Sequence, residues 1–256
     1  MTKTVLFKQM LEQAKLEQFF IGTGNPEAQI LIIGKEAAIA DILGEGKEQY
    51  KIEFKDCILN WERDIDKKLL EIENWNGTNY SPLYPYKGQC LKIDNFDNKG
   101  SEFNHGTSRT WYNYQKLINL ILNKKDNTKI DFHEDVFITE INSSPSKKTK
   151  DAKIDSIKSR KEYIQNSQFF QSFPVVILAG LGYFEVSESK NEVEEIFGVK
   201  FTKKRCAEEK ETQPYWIHYS KDKKKLLINT KQLSMFVSNG LINEIAMEIQ
   251  NSGLIK

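Results

Sequence analysis

Three polar residues stand where short apolar runs give way to turns. Glu36 follows AQILIIG at 28–34, Asn142 follows DVFITEI at 135–141, and Asn229 ends the apolar part of KKLLINTKQLS at 224–234. A carboxylate such as Glu36 can orient water or steady a developing positive charge. An amide such as Asn142 presents a donor and an acceptor side by side. The same residue types cap helices, and strand-end turns favour both uses. Directly after Asn142, residues 147–161 (KKTKDAKIDSIKSRK) hold seven basic and two acidic residues, including Lys147, Lys148 and Lys150. Such a run serves either phosphate contacts or a solvated helix face.

Other chemistries lack their residues. Gly180-Leu181-Gly182 follows an apolar run, but Glu185 stands where a dinucleotide fingerprint needs its third glycine, and no P-loop occurs. His105, His133 and His218 are far apart, and Cys57, Cys90 and Cys206 are too few for a four-cysteine zinc or iron-sulfur site. No metal and no cofactor are expected. Each histidine reads as a surface residue or a hydrogen-bonded core residue.

The elements that must carry these turns follow from hydrophobic patterning. AQILIIG, DVFITEI and PVVILAG (174–180) are β-branched runs of the length of a strand buried on both faces, each followed by a turn and a helical pattern. A fourth unit is KKLLINTKQLS leading into MFVSNGLINEIAMEIQ. Repeated strand, turn and helix predict an α/β fold: a three-layer α/β/α sandwich around a four-stranded, mainly parallel sheet. Ligands in such sheets bind at the carboxyl ends of the strands. An amphipathic helix should open the chain with Val5, Leu6, Met10, Leu11, Leu16 and Phe19 at helical spacing. Thr107 and Ser108 can cap a second helix carrying Trp111, Tyr114, Ile118 and Ile121, with Trp111 and Tyr114 expected in the core. Residues 199–222 read as an additional hairpin. One domain spanning 1–256 is expected, with residues 41–104 as an insertion.

With 37 Lys and Arg against 36 Asp and Glu in 256 residues, the net charge of +1 excludes a wholly basic nucleic-acid binder but leaves local basic patches open. The amino terminus lacks the apolar core of a signal peptide, and FPVVILAGLGYF is too short to span a bilayer. A cytoplasmic monomer without membrane contact is expected.

The stretches GTGNPEAQILIIGKEA, ITEINSSP, VVILAGLG and LLINTKQLS, in that order, resemble the uracil-DNA glycosylase superfamily. The resemblance implies a DNA glycosylase that cleaves the N-glycosidic bond of a damaged or modified base, with DNA as partner. It puts Glu36 in the acidic, water-positioning slot and Asn142 in the base-reading slot. Asn229-Thr230-Lys231-Gln232-Leu233-Ser234 falls on the loop that grips DNA and steadies the departing base, so Asn229 is catalytic and Lys231, Gln232 and Ser234 touch DNA along with Lys147, Lys148 and Lys150. Three positions depart from the pattern: Asn229 replaces a His, Ala37 a Pro, and Ala38 a Tyr that excludes 5-substituted bases. Ala38 therefore predicts room for an enlarged base. Tyr84, Tyr86 and Phe103 are candidates to stack on it. Two rival readings keep the same crevice: a nucleic-acid-binding module without catalysis, and a hydrolase of free nucleotides.

Overall fold

The computed structural model describes residues 2–17, 20–39, 43–72, 80–87, 90–93, 106–125, 128–146, 151, 153, 156–207, 213–234 and 236–255. Four strands form the centre: β2 (Ile30–Gly34), β5 (Val136–Glu140), β6 (Val175–Leu178) and β9 (Leu226–Asn229). They run parallel in the order β5-β2-β6-β9. Their sequences are apolar on successive positions because both faces are covered. Ile30, Ile32, Ile138, Ile177 and Ile228 join one core cluster, and Leu31, Ile33, Phe137, Val176 and Leu227 the other. That division is the two-residue period of a pleated strand.

The sheet is larger than the expected four strands. β1 (Thr23–Gly24) adds antiparallel to β5 at one edge, while β8 (Pro214–Tyr219) and β7 (Lys200–Cys206) add antiparallel beyond β9 at the other, giving seven strands. The expected hairpin of 199–222 is present as β7 and β8 and continues the sheet. β1 depends on its glycines. Gly22 and Gly24 have φ of 125° and 99°, and a Cβ on either would strike the carbonyl of Ile138 or Val136.

One face is covered by α4 (Arg109–Leu122) and α8 (Asn239–Ser252). Ser108 caps α4 by accepting from the Trp111 amide at 3.3 Å, and Ser238 caps α8 by accepting from Leu241 at 3.1 Å. Thr107 lies instead in β4 (Gly106–Thr107), paired with β3 (Cys90–Ile93). The other face carries α1 (Lys3–Glu17), α3 (Cys57–Asp64), α5 (Ile157–Asn166), α6 (Gln168–Gln171) and α7 (Glu192–Phe197). α1 exists as expected but buries Phe7, Met10, Leu11 and Ala14, while Val5 and Leu16 stay exposed; Phe19 lies outside the described residues. The buried face of this fifteen-residue helix centres on Phe7, Met10, Leu11 and Ala14, with the Phe7 ring packed edge-on against Trp61, Phe137 and Phe169.

The described part of residues 41–104 includes α2 (Lys47–Tyr50), which runs into a π-helical turn at Lys51–Lys55 and then α3. Trp61, Ile72, Leu83 and Tyr84 from this segment are buried in the core. Its contribution is structural as well as peripheral. Among the described residues, no helix is long and apolar enough to cross a membrane.

Candidate active site

The turns after β2 and β5 run side by side beyond the carboxyl ends of the strands. The Ile141 and Asn142 amides donate to Gly34 and Lys35 carbonyls at 3.0 and 2.8 Å, and the Ser146 amide to Ala37 at 3.0 Å. Gly34 faces Glu140 in register, and a Cβ at Gly34 would collide with the Glu140 carboxylate. The absent side chain gives that carboxylate its place. From the loop after β9, Gln232 accepts the Lys35 amide at 3.2 Å. α4 holds the same loop through Asn113, which donates to the Leu233 and Ser234 carbonyls at 3.3 and 2.9 Å.

These turns border a cavity of about 440 Å³. Glu36, Ala38, Gln232 and Ser234 of the sequence-derived site all line it. Glu36 is 9% exposed and accepts a hydrogen bond from the Tyr183 hydroxyl, which comes from the turn after β6. Burial first, and then Glu36, push the Tyr183 phenol well above its usual range, so it stays a donor.

Asn142 and Asn229 are arranged differently. Asn142 is fully buried; its Nδ2 donates to the Lys153 carbonyl at 2.9 Å, and its Oδ1 accepts from the Ser144 amide at 3.0 Å and the Ser156 hydroxyl at 2.8 Å. Its amide organises the turn and is absent from the cavity lining. Asn229 closes β9 opposite Trp216, is 5% exposed, and likewise does not line the cavity. Its Oδ1 is shielded without a hydrogen-bond partner. Lys231 lies with its ammonium 3.4 Å from the Phe236 carbonyl. Lys147, Lys148 and Lys150 lie outside the described residues. Two other cations of the basic run turn inward. Arg160 is fully buried, donating to the Glu140 carbonyl at 3.0 Å and the Thr139 hydroxyl at 2.5 Å, and Lys161 pairs with Glu192 at 2.5 Å.

Two carboxyls that sequence patterning did not single out share the cavity with Glu36. Glu53 comes from the π-helical turn, a geometry frequent at functional sites, and accepts from Gln49 at 3.2 Å. Burial raises its pKa to about 7. Glu140, at the end of β5, is raised to about 8 by burial and by Glu36, against the opposing pull of Arg160. Its Oε2 is shielded and has no hydrogen-bond partner. Folded, Glu140 keeps its proton to about pH 8, whereas the ordinary value is 4.5. The folded state therefore binds the additional proton between those values, and stability falls as pH rises across that window. Glu140→Gln is expected to flatten the fall when urea unfolding is compared at pH 5 and pH 8. An unchanged slope would mean the carboxyl is not held protonated.

Of the stacking candidates, Tyr86 lines the cavity, 4.9 Å from Trp111 between ring centres. Tyr84 is buried, its hydroxyl spent on the Ile130 carbonyl, and Phe103 lies outside the described residues. Trp111 and Tyr114 were expected in the core: Tyr114 is 1% exposed, yet both also form cavity wall. His133 is a core residue whose two ring nitrogens lack hydrogen-bond partners, with burial lowering its pKa to about 3. His218 is also buried, and His105 lies outside the described residues. Among the described residues no three His, Cys, Asp or Glu side chains are arranged to hold a metal ion. Comparison with known proteins gives no significant match to a family model, a curated protein or a solved structure.

Proposed function

We propose that the protein hydrolyses the N-glycosidic bond of a modified base in DNA, with Glu36 as the group beside the sugar. The observation that carries this reading is the pairing of Glu36, held by Tyr183, with an aromatic-walled cavity of about 440 Å³ at the carboxyl ends of the strands. A base turned out of a duplex needs such a pocket, with rings to stack on and polar groups at its edge. In the reaction, electrons of the C–N bond leave with the base while positive charge builds on the sugar. Glu36 offsets that charge and takes a proton from the attacking water. The departing base needs a donor. Since Asn229 stands outside the cavity, the role passes to Glu140, whose raised pKa keeps a proton available at neutral pH. Glu36 then returns a proton to Glu140, which completes the cycle.

Lys147, Lys148 and Lys150, together with Lys231, supply the phosphate contacts in this reading. The helices on the two faces, with one core cluster each, support a three-layer arrangement around the sheet. Incubation with oligonucleotides carrying a panel of modified bases, followed by alkali, tests the function: strand breaks at the modified position are expected. Salt-sensitive DNA binding with no abasic sites would favour a binding module, and turnover of free nucleotides without DNA affinity a nucleotide hydrolase.

Ala38 is exposed at the cavity and leaves room beside a bound ring. Greater activity is expected on a 5-substituted or otherwise enlarged base than on uracil, and Ala38→Tyr should lose the bulkier substrate first. Efficient cleavage of uracil alone by the natural chain would count against this assignment of Ala38.

A further inference from the structure

Beside the two carboxyls assigned to the hydrolysis, the cavity wall holds aromatic pairs and a third carboxyl, Glu53, to which that reaction gives no role. Phe20 and Phe54 stack at 4.5 Å on one part of it, and Tyr86 and Trp111 lie 4.9 Å apart on another. Three carboxyls, Glu36, Glu53 and Glu140, face the same space, and the one cationic side chain among the described lining residues is Lys35. The Lys35 ammonium lies 5.1 Å from the centre of the Tyr183 ring. Glu140 Oε2 is shielded from solvent without a hydrogen-bond partner, and the hydrogen bond found for Glu53 comes from a neutral amide, Gln49. The faces of aromatic rings are electron-rich, so rings and carboxyls act in the same direction. A phosphate inside this cavity would meet repulsion, and a neutral base would gain stacking and hydrogen bonds but no attraction between charges.

We infer that the cavity selects a planar nitrogen heterocycle carrying positive charge, such as an N-alkylated nucleobase, and that the Glu53 carboxyl meets that charge. The inference rests on the reading of the cavity as a base pocket and narrows the class of base. Burial holds Glu53 near pKa 7 and Glu140 near 8, which is the response of carboxyls shielded without sufficient positive charge nearby. A bound cation beside Glu53 supplies that charge and returns Glu53 to the ionised form, while Glu140 keeps the proton assigned to it above. The groups facing Glu53 are Gln49, Tyr80 and Tyr86, with Lys35, Glu36 and Glu140 lining the same cavity. Of these, Lys35 alone is cationic.

The test is calorimetric titration of the intact protein with 3-methylcytidine, which is cationic at neutral pH, against cytidine and against choline, a cation without a planar ring. Binding of 3-methylcytidine about tenfold tighter than cytidine is expected, the scale of a desolvated cation–π contact. The advantage should grow as pH rises through about 7, where Glu53 becomes ionised, and should largely vanish in Glu53→Gln. The wild-type pH profile needs no variant and decides the matter if Glu53→Gln fails to fold. Equal affinity for charged and neutral nucleosides, with both binding, overturns the inference and leaves the base pocket standing. Choline binding as well as 3-methylcytidine overturns the requirement for a planar ring, and a full preference in folded Glu53→Gln overturns the role of Glu53. Failure of both nucleosides to bind removes the base pocket and the inference together. An oligonucleotide containing 3-methylcytosine, run beside the free nucleoside, separates a base in DNA from a small molecule as the source of the charge.

Discussion

Replacing Glu36 with Gln is expected to lower base release by about 10²- to 10⁴-fold, the range lost when a positioned acid or base is removed. The amide has the shape of the carboxylate and can still accept from the Tyr183 hydroxyl that holds Glu36. It cannot take a proton from water or offset charge on the sugar. Since that charge exists only in the transition state, binding of the modified oligonucleotide should change little. Single-turnover rates and fluorescence anisotropy on the same substrate separate the two effects. A parallel loss of binding and turnover would make Glu36 a structural residue of the turn. Tyr183→Phe removes the hydroxyl while keeping the ring, and should fall between wild type and Glu36→Gln.

Trp61→Ala should cost about 3–5 kcal/mol of stability, the range for removing a large aromatic side chain from a packed core. Trp61 is fully buried, with its ring centre 4.6 Å from Phe7 and 5.9 Å from Phe137, and its Nε1 donates to the Gly22 carbonyl at 2.9 Å. The substitution opens a cavity among three elements and leaves a buried carbonyl without its donor. Urea unfolding with an unchanged m-value would measure the loss. Trp61→Phe keeps much of the packing and should cost less, the remainder reporting the hydrogen bond. A loss below about 1 kcal/mol for Trp61→Ala would place this tryptophan outside the cooperative core. Because α3 follows directly on the π-helical turn, the same change should also disturb the Glu53 side of the cavity.

The central strands could be read from sequence because ILIIG, VFITE, VVIL and LLIN are buried on both faces and need no alternation. At the edges, the hairpin of 199–222 was legible, but not that it continues the sheet, because β7, KFTKKRC, is exposed at nearly every position. β1, two residues held by close backbone approach, carries no strand-like apolar pattern. At the site, Glu36 stood out as a polar residue just past a buried strand. Glu140 was hidden by being the last residue of such a strand, and only its register opposite Gly34 turns it toward the cavity. Glu53 lies in KIEFK, where nothing local signals a π turn. Asn142 was readable as a functional type, but the destination of its amide depends on Lys153 and Ser156, more than ten residues away.

The sheet's two borders differ in what they offer a further strand. At one border β1 offers only two residues of backbone, and at the other β7 places Lys200, Lys203, Lys204 and Arg205 along seven residues. Lys200 pairs with Glu194, and Lys203 and Arg205 share Glu248, which keeps those acids on the protein's own surface. Two molecules aligning their β7 strands would bring two rows of like charge within a strand spacing of each other. Continuation of the sheet from one molecule to the next along β7 is thereby discouraged.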